Sequence, residues 1–265
     1  MLNAIFLSDL HLTTLSDPRG QCFLRLLHSQ RGPRAASLSA DKIQALTHLF
    51  LVGDIFDLWL ADHTYFLSHY ASAIEQIRRL HNEGVEIHYF EGNHDLYLEK
   101  FWGQALGVEV HAGPAYFQLG SRRVRVEHGD QMDPDDRGYL FLRWLLRTSV
   151  MTWLAHHLPS KAAVLLGQRA SQTSRTYTSQ VKTVSHDQAL TKMHRHAENL
   201  AQSESFDLMI HGHVHVQDDY IFEVCGKPIR SINLGSWLGG QMEYLVLNEK
   251  ELKFVSLQEQ GSFHK

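Results

Sequence analysis

Five short polar clusters carry side chains able to hold a divalent cation: Asp9 and His11 in SDLH, Asp54 and Asp57 in GDIFD, Asn93, His94 and Asp95 in GNHD, His128 and Asp130 in EHGD, and His211, His213 and His215 in HGHVH. Asp oxygens, imidazole nitrogens and an Asn carbonyl suit borderline to hard ions such as Mn, Fe or Zn. No thiolate stands among them, which excludes a structural zinc finger. Seven such ligands exceed what one ion can use while a position stays open to substrate. Two ions roughly 3.5 to 4 Å apart accommodate them if one carboxylate bridges the pair. Two cations lower the pKa of a shared water, so that hydroxide exists near neutral pH, and neutralise the oxygens of a phosphorus under attack. His94, with Asp95 beside it as orienting partner, suits an imidazole that stabilises developing charge or protonates a leaving oxygen. Asp57 and Asp130 read as carboxylates that orient ligands and backbone. Taken singly, the first four clusters also read as turns and helix caps, whereas three histidines around one glycine have little structural use.

The clusters stand at, or within a few residues of, the ends of short apolar runs. AIFLS (4–8), HLFLV (48–52) and VEIHYF (85–90) read as buried strands, and YFLSHYASAIEQIRRLHNEG (65–84) between the last two as a helix with a glycine stop. This βαβ rhythm favours parallel strands with helices outside. AYFQL, RVRVEH, FDLMIH, YIFEV, PIRSINL and EYLVL read as further strands, several of them near enough to pair antiparallel. In an open α/β sheet the carboxyl ends of strands share one crevice, so the clusters converge on one site. A period of two sends Asp9 and His11 to one side of a strand end, and His213 and His215 likewise.

At 265 residues with 43% apolar content the chain can fill one large domain or two small ones. No run approaches 18 apolar residues, and MLNAIFLSDLHL lacks a basic start and a cleavage site, so a cytoplasmic protein without a membrane span is expected. Cys22 and Cys225 sit in no paired motif and are expected as reduced, buried thiols. The net charge of −4 is uneven: residues 137–200 hold nine Lys or Arg against Asp187 and Glu198. The same stretch carries YLFLRWLL, VMTWLAHHL and AAVLL in helical patterning. We read it as a helical cap, 137–200, inserted into a core made of 1–136 and 201–265.

The series Asp9-x-His11, Gly53-Asp54-x-x-Asp57, Gly92-Asn93-His94-Asp95, His128-Gly129-Asp130 and Gly212-His213-x-His215 resembles the signature of the calcineurin-like metallophosphoesterases, with every position filled. The resemblance spans about residues 5–215. It implies an αββα sandwich of two mixed sheets flanked by helices. It also implies that Asp9, His11, Asp54 and His215 hold one metal ion, and that Asp54, Asn93, His128 and His213 hold the other, with Asp54 as the bridge. Two divalent ions, Mn²⁺ or else Fe or Zn, are the cofactors implied, with metal-held water as the nucleophile.

Within that family the insertion, IFLSDLHL, VGDIFDLW, HGDQMDPDDRGY and the chain length resemble the bacterial UDP-2,3-diacylglucosamine diphosphatases, which release UMP and a lipid sugar phosphate for lipid A synthesis. The resemblance implies substrate contacts from Asn93, His94, Asp136, Ser171, Arg175 and His213. The chain departs from that branch at His94, where an arginine is usual, and at Thr178, near where a lysine is. A substrate with acyl chains and two phosphates needs an apolar groove and cations, and the cap holds both. YLFLRWLLRTSVMTWL reads equally as an amphipathic helix packed on the core with Arg143 and Arg147 in solvent, or as the wall of an acyl-chain groove. A basic, apolar cap can also rest on an anionic membrane. The competing functions are a phosphodiesterase or phosphatase for another nucleotide or phospholipid, and a non-catalytic interaction module, which predicts missing ligands. Nucleic acid is not an expected partner, and a monomer is expected.

Overall fold

The computed structural model describes residues 1–38, 44–165 and 186–257. Two mixed sheets dominate them. The first has the order β13 (Leu252–Ser256), β12 (Glu243–Asn248), β1 (Asn3–Leu7), β2 (His48–Val52), β4 (Glu86–Phe90), β6 (Glu109–His111). Its central strands β1, β2, β4 and β6 are parallel, and β12 and β13 run antiparallel at one edge. The second has the order β10 (Gln217–Val224), β11 (Lys227–Leu234), β9 (Leu208–His211), β8 (Arg122–Val126), β7 (Ala115–Leu119). There β8, β9 and β11 are parallel and the two edge strands antiparallel. A short parallel ribbon joins β3 (Trp59–Leu60) to β5 (Asp95–Leu96).

Strand alternation builds the layers. Ala4, Phe6, Phe50, Val52 and Phe90 meet Val124, Val126, Leu208, Ile210 and Ile232 between the sheets. Phe6 and Phe50, opposite each other in the β1–β2 register, stack with centroids 4.4 Å apart. Fully burying one such side chain contributes about 1.5–3 kcal/mol. The alternate residues Ile5, Leu7, Leu49, Leu51, Ile87 and Tyr89 face the helices α1 (Pro18–Ser29) and α4 (Ala71–Asn82). Helix α1 starts at a capping Asp17 that accepts from Gly20 N–H, with Pro18 in its first turn. On the far side, α7 (His186–Ser203) lays Ala197 and Ala201 on Met209, Phe222 and Ile229 of the second sheet. The layers therefore run helix, sheet, sheet, helix.

Three expectations change. The helix over 65–84 is broken at Tyr70 into α3 (Thr64–His69) and α4, because Tyr70 turns inward to donate its hydroxyl to Leu12 O. Among the described residues of 137–200, α7 packs as the outer layer of the core, whereas α5 (Arg137–Leu146) and α6 (Ser149–His157) lie over the strand-end loops. Cys22 is buried, but Cys225 is exposed at the β10–β11 turn. The chain also forms a short α2 (Pro33–Ala36) and a π-helical turn Glu99–Ala105. Among the described residues no helix is long and apolar enough to cross a membrane.

Candidate metal centre

Parallel register sets the strand ends level. Leu7 lies opposite Leu51, and Val52 opposite Phe90, so Asp9, Asp54 and Asn93 leave adjacent strands on one side of the sheet. In the second sheet Val126 lies opposite Ile210, which brings His128 beside the loop carrying His213 and His215. The two sets face each other across the top of the sandwich.

All seven ligand candidates come together. Asp9 Oδ1 lies 3.1 Å from His215 Nε2 and 3.8 Å from His11 Nε2. His11 Nε2 is 3.1 Å from His215 Nε2 and 3.8 Å from Asp54 Oδ2. On the other side, Asp54 Oδ2 is 3.7 Å from His128 Nε2. Asn93 Oδ1 is 3.2 Å from His128 Nε2 and 3.1 Å from His213 Nδ1. One oxygen, Asp54 Oδ2, thus belongs to both groups, as a bridge requires.

A cation pair fits these residues. Asp9 Oδ1 is fully buried without a hydrogen-bond partner, although an imidazole nitrogen stands at 3.1 Å. Lone pairs aimed at a common point, rather than at each other, are the arrangement a shared cation satisfies. Tautomers agree: His128 Nδ1–H donates to Val52 O at 2.9 Å, leaving Nε2 free for a metal. Burial pushes both His11 and His213 down to about 4, so each is a free base at neutral pH, the form that ligates. Burial also opposes charge on Asp9, yet His215, His128 and His11 hold its carboxyl well below the usual range. For His128, burial is outweighed by Asp54, Asp9 and Asp130, which push the imidazole up to about 9.

The route to convergence differs from strand alternation. The strands end before the ligands, at Leu7 and His211, and the ligands sit in left-handed backbone: φ is 54° at Asp9, 45° at His11, 54° at Asp54, 71° at His213 and 62° at His215. Non-glycine residues adopt this conformation only when their surroundings enforce it. The glycines of the motifs have a separate task. A Cβ on Gly92 would overlap Asp54, and one on Gly212 would overlap Ser8 and Asp9, so each allows a ligand to close up against backbone.

Asp95 does not orient His94. Its carboxylate accepts from Asp54 N–H and Gly92 N–H through Oδ1, and from Ile55 N–H and the Tyr89 hydroxyl through Oδ2. It staples the β2 and β4 loops together from below. Burial and the Asp54 charge push Asp95 up to about 6, still ionised at neutral pH. The His94 ring is held instead by Asp57, whose main-chain oxygen accepts from Nδ1–H at 2.9 Å, and it stands 4.9 Å edge-on from His11. Asp57 Oδ1 lies 3.9 Å from His11 Nδ1. Asp130 accepts from Tyr139 and Arg143 of α5, which ties the cap to the metal loops. Asp136, expected at the substrate, accepts from Tyr139 N–H as the N-cap of α5. Ser171 and Arg175, and Thr178 with them, lie outside the described residues. His211 turns into the second sheet against Ser231 and Asn233 and takes no part. The sequence offered no signal for Ser8, which bonds Asp9 and Val52 O, or for Ser236 and Trp237, which donate to Asp9 O.

Residues 2–217 match the family model for calcineurin-like phosphoesterases. The chain belongs to the calcineurin-like phosphoesterase family. This phosphoesterase is a metal-dependent hydrolase of a family that uses a dinuclear metal site, and its clustered His and Asp side chains could hold metal. It is similar to proteins named UDP-2,3-diacylglucosamine hydrolase. One from Pseudomonas putida is 28% identical over 88% of this chain and 90% of its own length. Others from Pseudomonas paraeruginosa and Aeromonas salmonicida are each 28% identical over 89% of this chain, covering 91% and 86% of their own lengths.

Proposed function

We propose that this phosphoesterase hydrolyses the pyrophosphate of an acylated nucleotide sugar of the UDP-2,3-diacylglucosamine kind, giving UMP and a lipid sugar phosphate. The cap carries this reading. Phe141, Leu142, Trp144 and Leu145 of α5 and Val150, Trp153 and Leu154 of α6 are exposed. The polar side of α5 faces down, with Arg143 on Asp130 and Arg147 on Glu91, each at 2.6 Å. Of the two orientations the sequence left open, this is not the one with the apolar side on the core and both arginines in solvent. Exposed apolar side chains on both cap helices, one of which is tied to the metal loops through Asp130, suit acyl chains, and they suit a position against the cytoplasmic face of an anionic membrane. The names of the similar Pseudomonas and Aeromonas proteins agree with it.

Two Mn²⁺ ions, when bound, supply Lewis acidity at the phosphate oxygens and water that ionises near neutral pH. Asp9, His11, Asp54 and His215 would hold one ion, and Asp54, Asn93, His128 and His213 the other, beside the substrate phosphate. His94, with Nδ1 occupied by Asp57 O, presents Nε2 to hold or deliver a proton at the leaving oxygen. His94 also supports a second reading, a related phosphoester of another nucleotide or phospholipid, because the branch it resembles usually has arginine there. Mass spectrometry decides between them. The Mn²⁺-loaded protein should release UMP from UDP-2,3-diacylglucosamine far faster than from a UDP-sugar without acyl chains; equal rates on both would overturn the acylated-substrate reading.

A further inference from the structure

We propose that His88, Glu109 and His111 form a separate site for one borderline divalent cation of the zinc type. It shares no ligand with the dinuclear centre. Strands β4 and β6 run parallel with His88 opposite Glu109 and Phe90 opposite His111. That register sets two imidazoles and a carboxylate on neighbouring strands. His88 Nδ1 lies 3.2 Å from Glu109 Oε2 and 3.3 Å from His111 Nε2, and His111 Nε2 lies 3.7 Å from Glu109 Oε1. Bonds of about 2.0–2.1 Å to a tetrahedral zinc place ligand atoms roughly 3.3–3.4 Å apart. The two imidazole nitrogens already stand at that spacing, with one Glu109 oxygen near each of them.

The surroundings favour a ligand over a chance contact. The His88 side chain is only 6% exposed and is held between Phe50 at 4.8 Å and Phe117 at 4.6 Å. His111 stacks on Phe90 at 4.5 Å. Burial, with His111 and His48 nearby, pushes His88 down to about 3, and burial also lowers His111. His88 Nδ1 and His111 Nε2 face each other nitrogen to nitrogen at 3.3 Å, and a cation between them would draw on a lone pair from each ring. His₂Glu is a ligand set that zinc accepts with a fourth position open. A cavity of about 360 Å³ lined by Arg34, His81, Glu86, His88 and Glu109 lies beside it and offers that position to water or a small anion. Since β6 is a three-residue edge strand, the cation would clamp it to β4.

The test uses the full chain loaded with Mn²⁺ and dialysed against micromolar Zn²⁺, with Mn and Zn counted together by elemental analysis. Wild type should hold one ion per chain more than Glu109→Gln or His111→Phe, and both variants should keep phosphoesterase activity on bis-p-nitrophenyl phosphate. Glu109 is 64% exposed, so Glu109→Gln is not expected to disturb folding even if His111→Phe does. Equal metal content in wild type and Glu109→Gln, or an extra ion that survives the substitution, would overturn the proposal.

Discussion

At the scale of single residues, two neighbours in GNHD divide into a reacting group and a scaffold. His94 faces the centre, while Asp95 is buried beneath it and accepts four hydrogen bonds from the loops that hold Asp54 and Gly92. His94→Ala should lower kcat by about 10²–10⁴ with metal content and thermal midpoint unchanged. Asp95→Ala should instead cost about 3 kcal/mol or more of stability and loosen metal binding, because three backbone donors and the Tyr89 hydroxyl lose their acceptor. Elemental analysis and thermal unfolding of the two variants separate these outcomes. A second prediction rests on His128. With its imidazole pushed up to about 9 in the metal-free chain, the folded state binds that proton more tightly than the unfolded state. Its contribution to metal-free stability is full below about pH 6.5 and is lost as pH rises through 9. Metal binding must displace the proton, so Mn²⁺ affinity should rise about tenfold per pH unit up to about 9 and then level, as calorimetry in buffers of different ionisation enthalpy would show. The ligands were legible in the sequence because five clusters of metal-donor types recur at the ends of apolar runs, although each of the first four alone reads as a turn or cap. The partner of His94 was not, since it is a main-chain oxygen from a different loop, and adjacency in sequence pointed to Asp95.

At the scale of elements, strands were legible as short apolar runs, whether buried as in β2 or half-exposed at a sheet edge as in β7. HLFLV and AYFQL match β2 and β7 residue for residue. The three-residue β6 and the two-residue ribbon strands carry no period to detect, and their pairing comes from the tertiary register. The left-handed turns at Asp9, His11, Asp54, His213 and His215 were also invisible, since nothing but the closing of the site imposes them. The orientation of α5 was open in the sequence because an amphipathic pattern does not say which face meets the protein. Arg143 and Arg147 find buried carboxylates, and that settles it. Replacing both Phe141 and Trp144 by Ser should therefore leave the thermal midpoint nearly unchanged, as both are exposed. It should raise KM for an acylated substrate about tenfold or more while sparing bis-p-nitrophenyl phosphate. Equal loss on both substrates would show that these side chains support the fold instead.

Across the whole molecule, two sheets with level strand ends present one ligand set from each side, and Asp54 sits where the sets meet. The βαβ rhythm made parallel strands with a shared crevice legible, and the sandwich of two sheets came from the family resemblance. The basic, apolar stretch announced the cap but not its limit, because α7 continues the helical pattern while packing on a different layer. The most direct test of a dinuclear hydrolase built on Asp54 is metal content and turnover of bis-p-nitrophenyl phosphate measured on the same samples of wild type and Asp54→Ala. Wild type should hold both ions of the dinuclear centre and turn over, and Asp54→Ala should lose both properties together. Turnover that survives in Asp54→Ala, or wild type with both positions filled and no hydrolysis of any phosphoester, would contradict it.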